Sequence, residues 1–435
     1  MNSIHLYITA CAIRLFNQRL FHVIEFAHVF KFLYYQQLQT HRRLNKQHSI
    51  TIYFRCNIQG NYSSISSLLC YHFPFFGSIR TTMTPEIRVP RQPHLSTTSC
   101  QRLIYEDLDL DLGTGTLIIQ SDISHSKLFL AVTGHIVNNV PILPSALYAD
   151  MAMTAADYLY RSLCPSAPDI GLDVCAMEVH KPLIAQIPPP EDGQHLQMEA
   201  HADIRKGEVT VNFRSVTWDG ETIKNHGHGV VKYEDTAEWV SEWQRTQFLV
   251  KTQIDVLERK LSVGIAHKFL AGLAYKLFQA LVHYAPKYQG MQEIILDSED
   301  TAAVAKIRFQ TTAADGDFFC SPYFIDNLCH LSGFIANASD TSDSDLTYIS
   351  HGWQSFKIAD PKALSADKEY RCYVKMMARP GNVTAGDVYV FEGEQIVAVF
   401  YGCKFQGIPR RAMDALLPSA MKDKGTVKRT KKGER

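Results

Sequence analysis

Two ionisable residues stand at equivalent places in two similar sequence patterns, although they lie far apart in the chain. His135 precedes a helix that we predict to begin at Pro144, and Asp326 falls in the first turns of a second helix begun by Pro322. A histidine can take and return a proton near neutrality, and a carboxylate beside it can orient the ring and stabilise its charged form. His330, four residues after Asp326, shares its helical face. The pattern predicts a His–Asp site for proton transfer.

Motifs of several other enzyme classes are absent from the sequence. It has no G-x-S-x-G nucleophile motif, no H-E-x-x-H zinc motif and no Walker phosphate loop. The segment 113–115 (Gly-Thr-Gly) lacks the third glycine of a dinucleotide-binding loop. His226 and His228 would share one face of a predicted strand, but no carboxylate or cysteine is near them in sequence. We therefore expect no metal site and no cofactor held by the chain itself.

The predicted elements around His135 and Asp326 repeat one plan, a helix followed by antiparallel strands. The helices are predicted over 144–163 and 321–336, with further helical sequence over 256–284. The strands are predicted at 116–121, 128–132, 197–204, 208–217, 226–233, 293–296, 302–310, 350–357, 370–377, 388–392 and 395–405. Either half alone would leave an open sheet edge, so we expect the edges to pair into one continuous sheet.

The formal net charge of zero is the sum of unlike parts. Residues 1–82 carry eight basic side chains and one acid, and residues 422–435 carry seven and two. The stretch between them is acidic, with 29 basic and 41 acidic side chains. This balance gives no general attraction to nucleic acid or to anionic membranes. Charges interrupt the apolar residues of 4–35, so no membrane span is predicted.

We predict four regions. Residues 1–95 form an extension of doubtful structure, either an appended segment upstream of a later start at Met83 or an amphipathic targeting helix. Residues 96–250 and 251–418 form two halves of one duplicated domain. Residues 419–435 form a basic disordered tail, either solvated or docking a partner. Ten cysteines without pairing rhythm favour free thiols in a reducing compartment and a cytoplasmic location.

Two segments resemble the histidine and aspartate motifs of product-template domains, which belong to fungal non-reducing polyketide synthases. The first, residues 134–152, contains His135, and the second, residues 321–334, contains Asp326. Supporting similarity lies at 96–101, 284–290 and 352–355, within a resemblance that runs from about 96 to 418. The chain is also similar, more distantly, to the dehydratase domains of fatty-acid and polyketide synthases. It departs from the family at Asn139, where glycine is usual; asparagine tolerates a left-handed backbone better than most residues.

The resemblance implies an α+β double hot dog fold, in which two antiparallel sheets each wrap around a central helix. His135 would be the general base, and Asp326 would orient it or act as the acid. The substrate would be a poly-β-ketone chain held as a thioester on the phosphopantetheine of a separate acyl carrier protein. The reaction would be a regioselective aldol cyclisation with loss of water. Candidate substrate-binding residues are Asn138, Pro144, Tyr284, Tyr288, Phe324, His330 and Trp353, with Phe278 as a further wall candidate.

Three functions remain open at this point. The first is a free-standing polyketide cyclase that uses His135 and Asp326. The second is a dehydratase that uses the same pair on a β-hydroxyacyl thioester. The third is a non-catalytic accessory protein or a relic fragment of a synthase. Since no ketosynthase, acyltransferase or carrier-protein sequence is found, we expect a carrier protein or a non-reducing synthase as a partner in trans, with a homodimer as a further possibility.

Overall fold

The computed structural model describes residues 4–10, 50–56, 68–72, 95–279, 281–343 and 345–417. The chain divides into two compact units, Met1–Arg88 and Val89–Arg435. In the first unit, β1 (Ile4–Ala10) pairs in parallel with β2 (Ile50–Cys56), which pairs antiparallel with β3 (Leu68–His72). The targeting-helix alternative is therefore wrong for residues 4–10. Met83 and the predicted tail at 419–435 lie outside the described residues.

The second unit contains seventeen described strands and six described helices. The strands are β4 (Arg102–Asp109), β5 (Thr114–Asp122), β6 (His135–Val137), β7 (Val140–Pro141), β8 (Gly171–Val179), β9 (His195–Asp203), β10 (Glu208–Val216), β11 (Thr222–Glu234), β12 (His267–Leu270), β13 (Val282–Tyr284), β14 (Met291–Asp297), β15 (Ala302–Ile307), β16 (Leu346–Ser350), β17 (Trp353–Ile358), β18 (Tyr370–Arg379), β19 (Val383–Glu392) and β20 (Gln395–Pro409). The helices are α1 (Ser126–Thr133), α2 (Ser145–Leu163), α3 (Thr236–Ser262), α4 (Ala271–Phe278), α5 (Pro322–Ala338) and α6 (Arg410–Leu416). Short 3-10 turns lie at Pro286–Tyr288, Ala313–Asp315 and Pro361–Ala363.

Fourteen of these strands form one antiparallel sheet. Its order is β12-β14-β15-β18-β19-β20-β17-β8-β11-β10-β9-β5-β4, with β16 paired to β20. The pairing of β17 with β8 joins the two halves, and it sets Trp353 opposite Met177 and Phe356 opposite Val174. The indole Nε1 of Trp353 donates a hydrogen bond of 3.0 Å to the carbonyl oxygen of Val174. The predicted continuous sheet is confirmed.

Each half of the sheet packs against one buried helix. Helix α2 contacts β5, β8, β9, β10 and β11, helix α5 contacts β14, β15, β16, β18, β19 and β20, and the two helices contact each other. The predicted stripe of α2 at four-residue spacing is fully buried, as Leu147, Met151 and Leu159 illustrate. Helix α5 begins at Pro322, whose missing N–H and fixed φ suit the first helical turn. Helix α5 carries Asp326 and His330, two residues of the candidate site.

The structure contains strands that were not predicted, among them β4 and β8, and it differs from the prediction in two connecting regions. Residues 128–132, predicted as a strand, lie in α1, where Leu128, Ala131 and Val132 form one buried face at helical spacing. Residues 256–284 are not one helix. Helix α3 begins after the cap Asp235, ends at Ser262, and is followed by β12, α4 and β13. Helix α3 also spans the predicted boundary between residues 250 and 251.

The third sheet of the structure is small, with the order β13-β6-β7, and it carries His135. The seven cysteines between residues 95 and 417 are unpaired in the structure. Among the described helices, none has the length and apolar character needed to cross a lipid bilayer.

Candidate active site

His135 is the first residue of β6 and is nearly buried, with 9% of its surface exposed. Its Nδ1 has no hydrogen-bond partner among the described residues. Burial lowers the pKa of His135 below its ordinary value, the charge of Asp326 opposes this shift, and the charge of His330 adds to it. The imidazole is therefore neutral at pH 7, the form in which it can accept a proton.

The chain turns sharply directly after His135. Asn138 and Asn139 both adopt the left-handed backbone, with φ of 48° and 63°. Asn139 therefore has the positive φ that the sequence left open as one reason for a glycine there, and asparagine tolerates this backbone better than most residues. The turn folds β7 back on β6 and leads to Pro144, the N-cap of α2. It thereby holds His135 next to the start of the central helix.

Asp326 and His330 lie one turn apart on α5 and are joined by a hydrogen bond of 2.7 Å between Oδ2 and Nε2. Burial raises the pKa of Asp326, but His330 and His135 together bring it below its ordinary value. The carboxylate is therefore ionised. Its hydrogen bond is to His330, and its influence on His135 is electrostatic. We expected Asp326 to orient the ring of His135, but no hydrogen bond between these two residues is present among the described contacts.

Tyr284 lies between the two imidazoles. It is the residue opposite His135 across β13 and β6, and the centroid of its ring is 5.5 Å from His135 and 4.1 Å from His330. Burial raises the pKa of Tyr284 well above its ordinary value, so its phenol stays protonated. Tyr284 thus links β6 to α5 through ring contacts with both histidines.

These side chains face one cavity of about 380 Å³. Seven residues singled out in the sequence line it, namely His135, Pro144, Phe278, Tyr284, Asp326, His330 and Trp353. Its volume is in the range of small-ligand pockets, and its wall is mainly apolar. The arrangement offers a neutral base and a buried negative charge inside an apolar chamber, which suits proton abstraction from a weak carbon acid.

Three predicted binding residues do not line the cavity. Tyr288 is fully buried behind it, with its ring 6.1 Å from His135 and its hydroxyl donating to the carbonyl oxygen of Ala131. Phe324 stacks on Phe309 at 3.9 Å. Asn138 serves the turn. The structure places these three residues in the supporting structure around the cavity, and sequence similarity alone does not distinguish such residues from those of the wall.

Part of the wall was not predicted from the sequence. Many of the missed residues lie in α5, in the last strand β20 or at α6 and its C-cap, and they include Gly333, Asn337, Cys403, Phe405, Met413 and Leu417. The alternation in β20 marks Cys403 and Phe405 as inward-facing. It does not distinguish a cavity wall from a packed core, since both are apolar.

The fold is that of dehydratase domains from polyketide synthases. The dehydratase domain from the CurJ module of curacin polyketide synthase aligns with a TM-score of 0.52 at 14% identity, covering 74% of this chain and all of that one. The dehydratase domain of PpsC from Mycobacterium tuberculosis, in complex with C12:1-CoA, aligns with a TM-score of 0.50 at 16% identity, over 70% of this chain and 98% of that one. At these identities the likeness shows the fold alone. The predicted α+β double hot dog fold is confirmed.

Sequence similarity identifies the source of this domain more narrowly. Residues 269–415 match the family model described as polyketide synthase dehydratase N-terminal domain. The chain is 54% identical over 349 residues to non-reducing polyketide synthase Preu8 of Preussia isomera, covering 79% of this chain. It is 40% identical over 337 residues to conidial pigment polyketide synthase alb1 of Aspergillus fumigatus, covering 77% of this chain. It spans only 16% and 15% of the lengths of those two relatives. The resemblance to a product-template, dehydratase-like domain of fungal non-reducing polyketide synthases is confirmed.

Proposed function

We propose that this chain catalyses the regioselective aldol cyclisation of a poly-β-ketone chain, which an acyl carrier protein delivers as a phosphopantetheine thioester. The observation that carries the proposal is the buried, neutral His135 facing a mainly apolar cavity together with the ionised Asp326. The substrate class is inferred from the relatives, which are named as non-reducing polyketide synthases. No cofactor of the chain's own is required.

The reaction begins with proton transfer to His135. A CH₂ group between two ketones is acidic enough for a neutral imidazole to take one of its protons. The resulting enolate carbon attacks a carbonyl carbon further along the chain, forming the ring C–C bond, and the new alkoxide takes the proton back. Loss of the hydroxyl with a neighbouring C–H proton as water then gives a cyclic enone, and enolisation of the remaining ring ketones gives the aromatic ring. All atoms balance without an oxidant or reductant.

Asp326 supports the charged stage of this cycle. Once His135 has taken the proton it is an imidazolium, and the negative charge of Asp326 stabilises it. The hydrogen bond from His330 keeps that carboxylate ionised and fixed in place. Asp326 is therefore a positioning and electrostatic group in this proposal. It reaches His135 through space rather than through a shared hydrogen bond.

The cavity supplies the regiochemistry. A flexible ketide chain can close many rings, and holding one carbon near one carbonyl can contribute about 7–11 kcal/mol in favourable cases. The apolar walls from Phe278, Phe405 and Trp353 suit a folded chain, and the few polar groups at His135 and Asp326 set the reacting end.

The cysteines of the described residues form no disulfides in the structure. Free thiols support a reducing, cytoplasmic location for this activity.

The dehydratase alternative uses the same residues on a different substrate. It needs a β-hydroxyl group, which arises when a β-ketone is reduced. Several of the relatives are named non-reducing, which favours a substrate that keeps its ketones. The observation that favours this second candidate is the fold similarity to dehydratase domains.

One experiment separates the two candidates and the non-catalytic alternative. The purified chain is incubated with two carrier-bound substrates, a poly-β-ketone made in situ by a non-reducing synthase and a β-hydroxyacyl thioester, and the products are read by mass spectrometry. We expect a single cyclised aromatic product from the first and no enoyl thioester from the second. The reverse result would establish the dehydratase. A product profile from the poly-β-ketone that matches spontaneous cyclisation, with no enoyl product, would support a non-catalytic role.

A further inference from the structure

The end of β8 and the middle of β11 bring together three exposed side chains that the proposed reaction does not use. Glu178 lies opposite His228 across these strands, and His180 follows two residues after Glu178. Residues two apart on an extended chain share a face. Glu178, His180 and His228 therefore form one group, named here the rim cluster because His180 also lines the cavity.

The donor atoms of the rim cluster lie at metal-binding distances. One ligand atom from each residue lies within 4.8 Å of the other two. His180 Nε2 is 3.3 Å from His228 Nδ1 and 4.0 Å from a carboxylate oxygen of Glu178. With Zn–N bonds of about 2.0–2.1 Å, two nitrogens on a tetrahedral zinc ion are about 3.3–3.4 Å apart. The two imidazoles already have this separation.

The backbone holds the cluster in place. The N–H of His180 donates a hydrogen bond of 2.8 Å to the carbonyl oxygen of His226, and the sheet register fixes Glu178 against His228. A bound ion therefore requires only a side-chain rotation of Glu178. The side chains of His180 and Glu178 are about half exposed, at 53% and 48%, so an ion can reach them without opening the fold.

The structure also corrects the sequence interpretation of His226 and His228. His226 is buried, with Nε2 2.5 Å from the hydroxyl of Ser215 and Nδ1 2.9 Å from the carbonyl oxygen of Lys181. His228 is exposed, so the two histidines do not act together. The carboxylate that the local sequence lacks is supplied by Glu178 from the neighbouring strand.

We propose that the rim cluster binds a divalent transition-metal ion, with zinc as the favoured ion. The ligands are Nε2 of His180, Nδ1 of His228 and a carboxylate oxygen of Glu178. Two imidazoles select zinc, nickel or copper over magnesium and calcium, which prefer oxygen ligands alone. The ion replaces the hydrogen shared by the two rings. Three protein ligands leave one tetrahedral position for water or for a group entering the cavity.

The test uses the full chain with any polyhistidine tag removed. Calorimetric titration with zinc is expected to show one equivalent bound, and cobalt is expected to give the visible absorption of a tetrahedral site with nitrogen and oxygen ligands. Both signals are expected to be lost in His180→Ala and in His228→Ala. His201→Ala is the matched control, because His201 is also an exposed strand histidine, 3.0 Å from Glu199.

The control is expected to bind zinc as the wild type does, and magnesium and calcium are expected to give no signal. All the variants carry surface substitutions, and equal thermal unfolding temperatures confirm that they are folded. Absence of zinc binding in the wild type, binding that survives His228→Ala, or an equal loss in His201→Ala would overturn the proposal. Because no turnover is measured, these outcomes are independent of the proposed cyclisation.

Discussion

The carboxylate of Asp326 accepts a hydrogen bond of 2.7 Å from Nε2 of His330, one helical turn further along α5. This bond gives the buried negative charge a fixed partner. Burial lowers the pKa of His135, and the negative charge of Asp326 raises it. The site is thus a triad in which the base is coupled to the other two residues by electrostatics and by the ring of Tyr284 between them.

The pH profile of cyclisation reports the state of His135. The base must be neutral, and burial places its pKa below the ordinary histidine value of about 6.5. Activity is therefore expected to be constant near neutrality and to fall only as the pH drops through that lowered pKa. Initial rates from acidic to neutral pH measure the acid limb. A limb centred above the ordinary histidine value, or a flat profile into the acid range, would contradict His135 as the base.

Asp326→Asn removes the charge and keeps the shape of the side chain. Asp326 stabilises the imidazolium of His135 by charge alone, and each 1.4 kcal/mol or so of stabilisation that is lost lowers the rate about tenfold. Since Asp326 raises the pKa of His135, its removal is expected to move the acid limb to lower pH. The pH dependence of the variant's rate measures both effects. An acid limb that stays in place would show that Asp326 does not act on His135.

Gly333→Ala narrows the cavity without touching the reacting groups. A Cβ at Gly333 would lie 3.3 Å from the ring of Phe405 and 3.8 Å from that of Phe278, two wall residues. We expect the products to shift toward smaller rings or rings closed between the wrong carbon atoms. The total amount of poly-β-ketone consumed should change less. Gly272→Ala is the matched control, because a Cβ there meets no atom within 4 Å. Identical product distributions in the two variants would mean that this wall does not set the register.

Asp150 makes the stability of the protein depend on pH. It is fully buried, accepts hydrogen bonds from the hydroxyl of Ser99 at 2.5 Å and the N–H of Cys320 at 2.9 Å, and burial raises its pKa to about 7. A raised pKa means that its contribution to stability is present below the unfolded value of about 4 and is lost as the pH rises toward 7. Each pKa unit corresponds to about 1.4 kcal/mol.

Asp150→Asn is expected to abolish this component. The difference in free energy of unfolding between wild type and variant, measured by urea denaturation, should favour the wild type increasingly as the pH is lowered through this window. The exposed Asp340→Asn serves as the control and should show no such trend. A difference between wild type and Asp150→Asn that is independent of pH would show that folding does not raise the pKa of Asp150.

The central elements of the fold were predictable because their signals are local. Helix α2 follows Pro144, helix α5 begins at Pro322, and both carry an apolar stripe, while the strands of the sheet alternate or end at turns. Residues 128–132 were misassigned because a short apolar run fits a strand and a buried helix equally. The pairing of Trp353 with Met177 required the two halves to meet, and only the incomplete edges of each half indicated it.

The sequence indicated the residues of the site but not the hydrogen bonds between them. His135, Asp326 and His330 were marked by position and resemblance, and the i,i+4 spacing of the last two predicted a shared face. Asp326 bonds to His330 rather than to His135. This choice depends on where β6 and β13 place the side chain of His135, and no local sequence pattern determines that position. The wall residues Phe405 and Met413 carry no signal of their own, since apolar side chains line cores and cavities alike.

The most direct test of this account is the rate of cyclisation by His135→Ala against wild type, with a carrier-bound poly-β-ketone as substrate and His201→Ala as the surface control. Removing a general base is expected to reduce the rate of formation of the directed product by about 10²–10⁴-fold. The remaining products should match those of spontaneous cyclisation, while the control retains the wild-type rate. If His135→Ala, shown to be folded, formed the same product at the wild-type rate, His135 would not be the base and the central claim would fail.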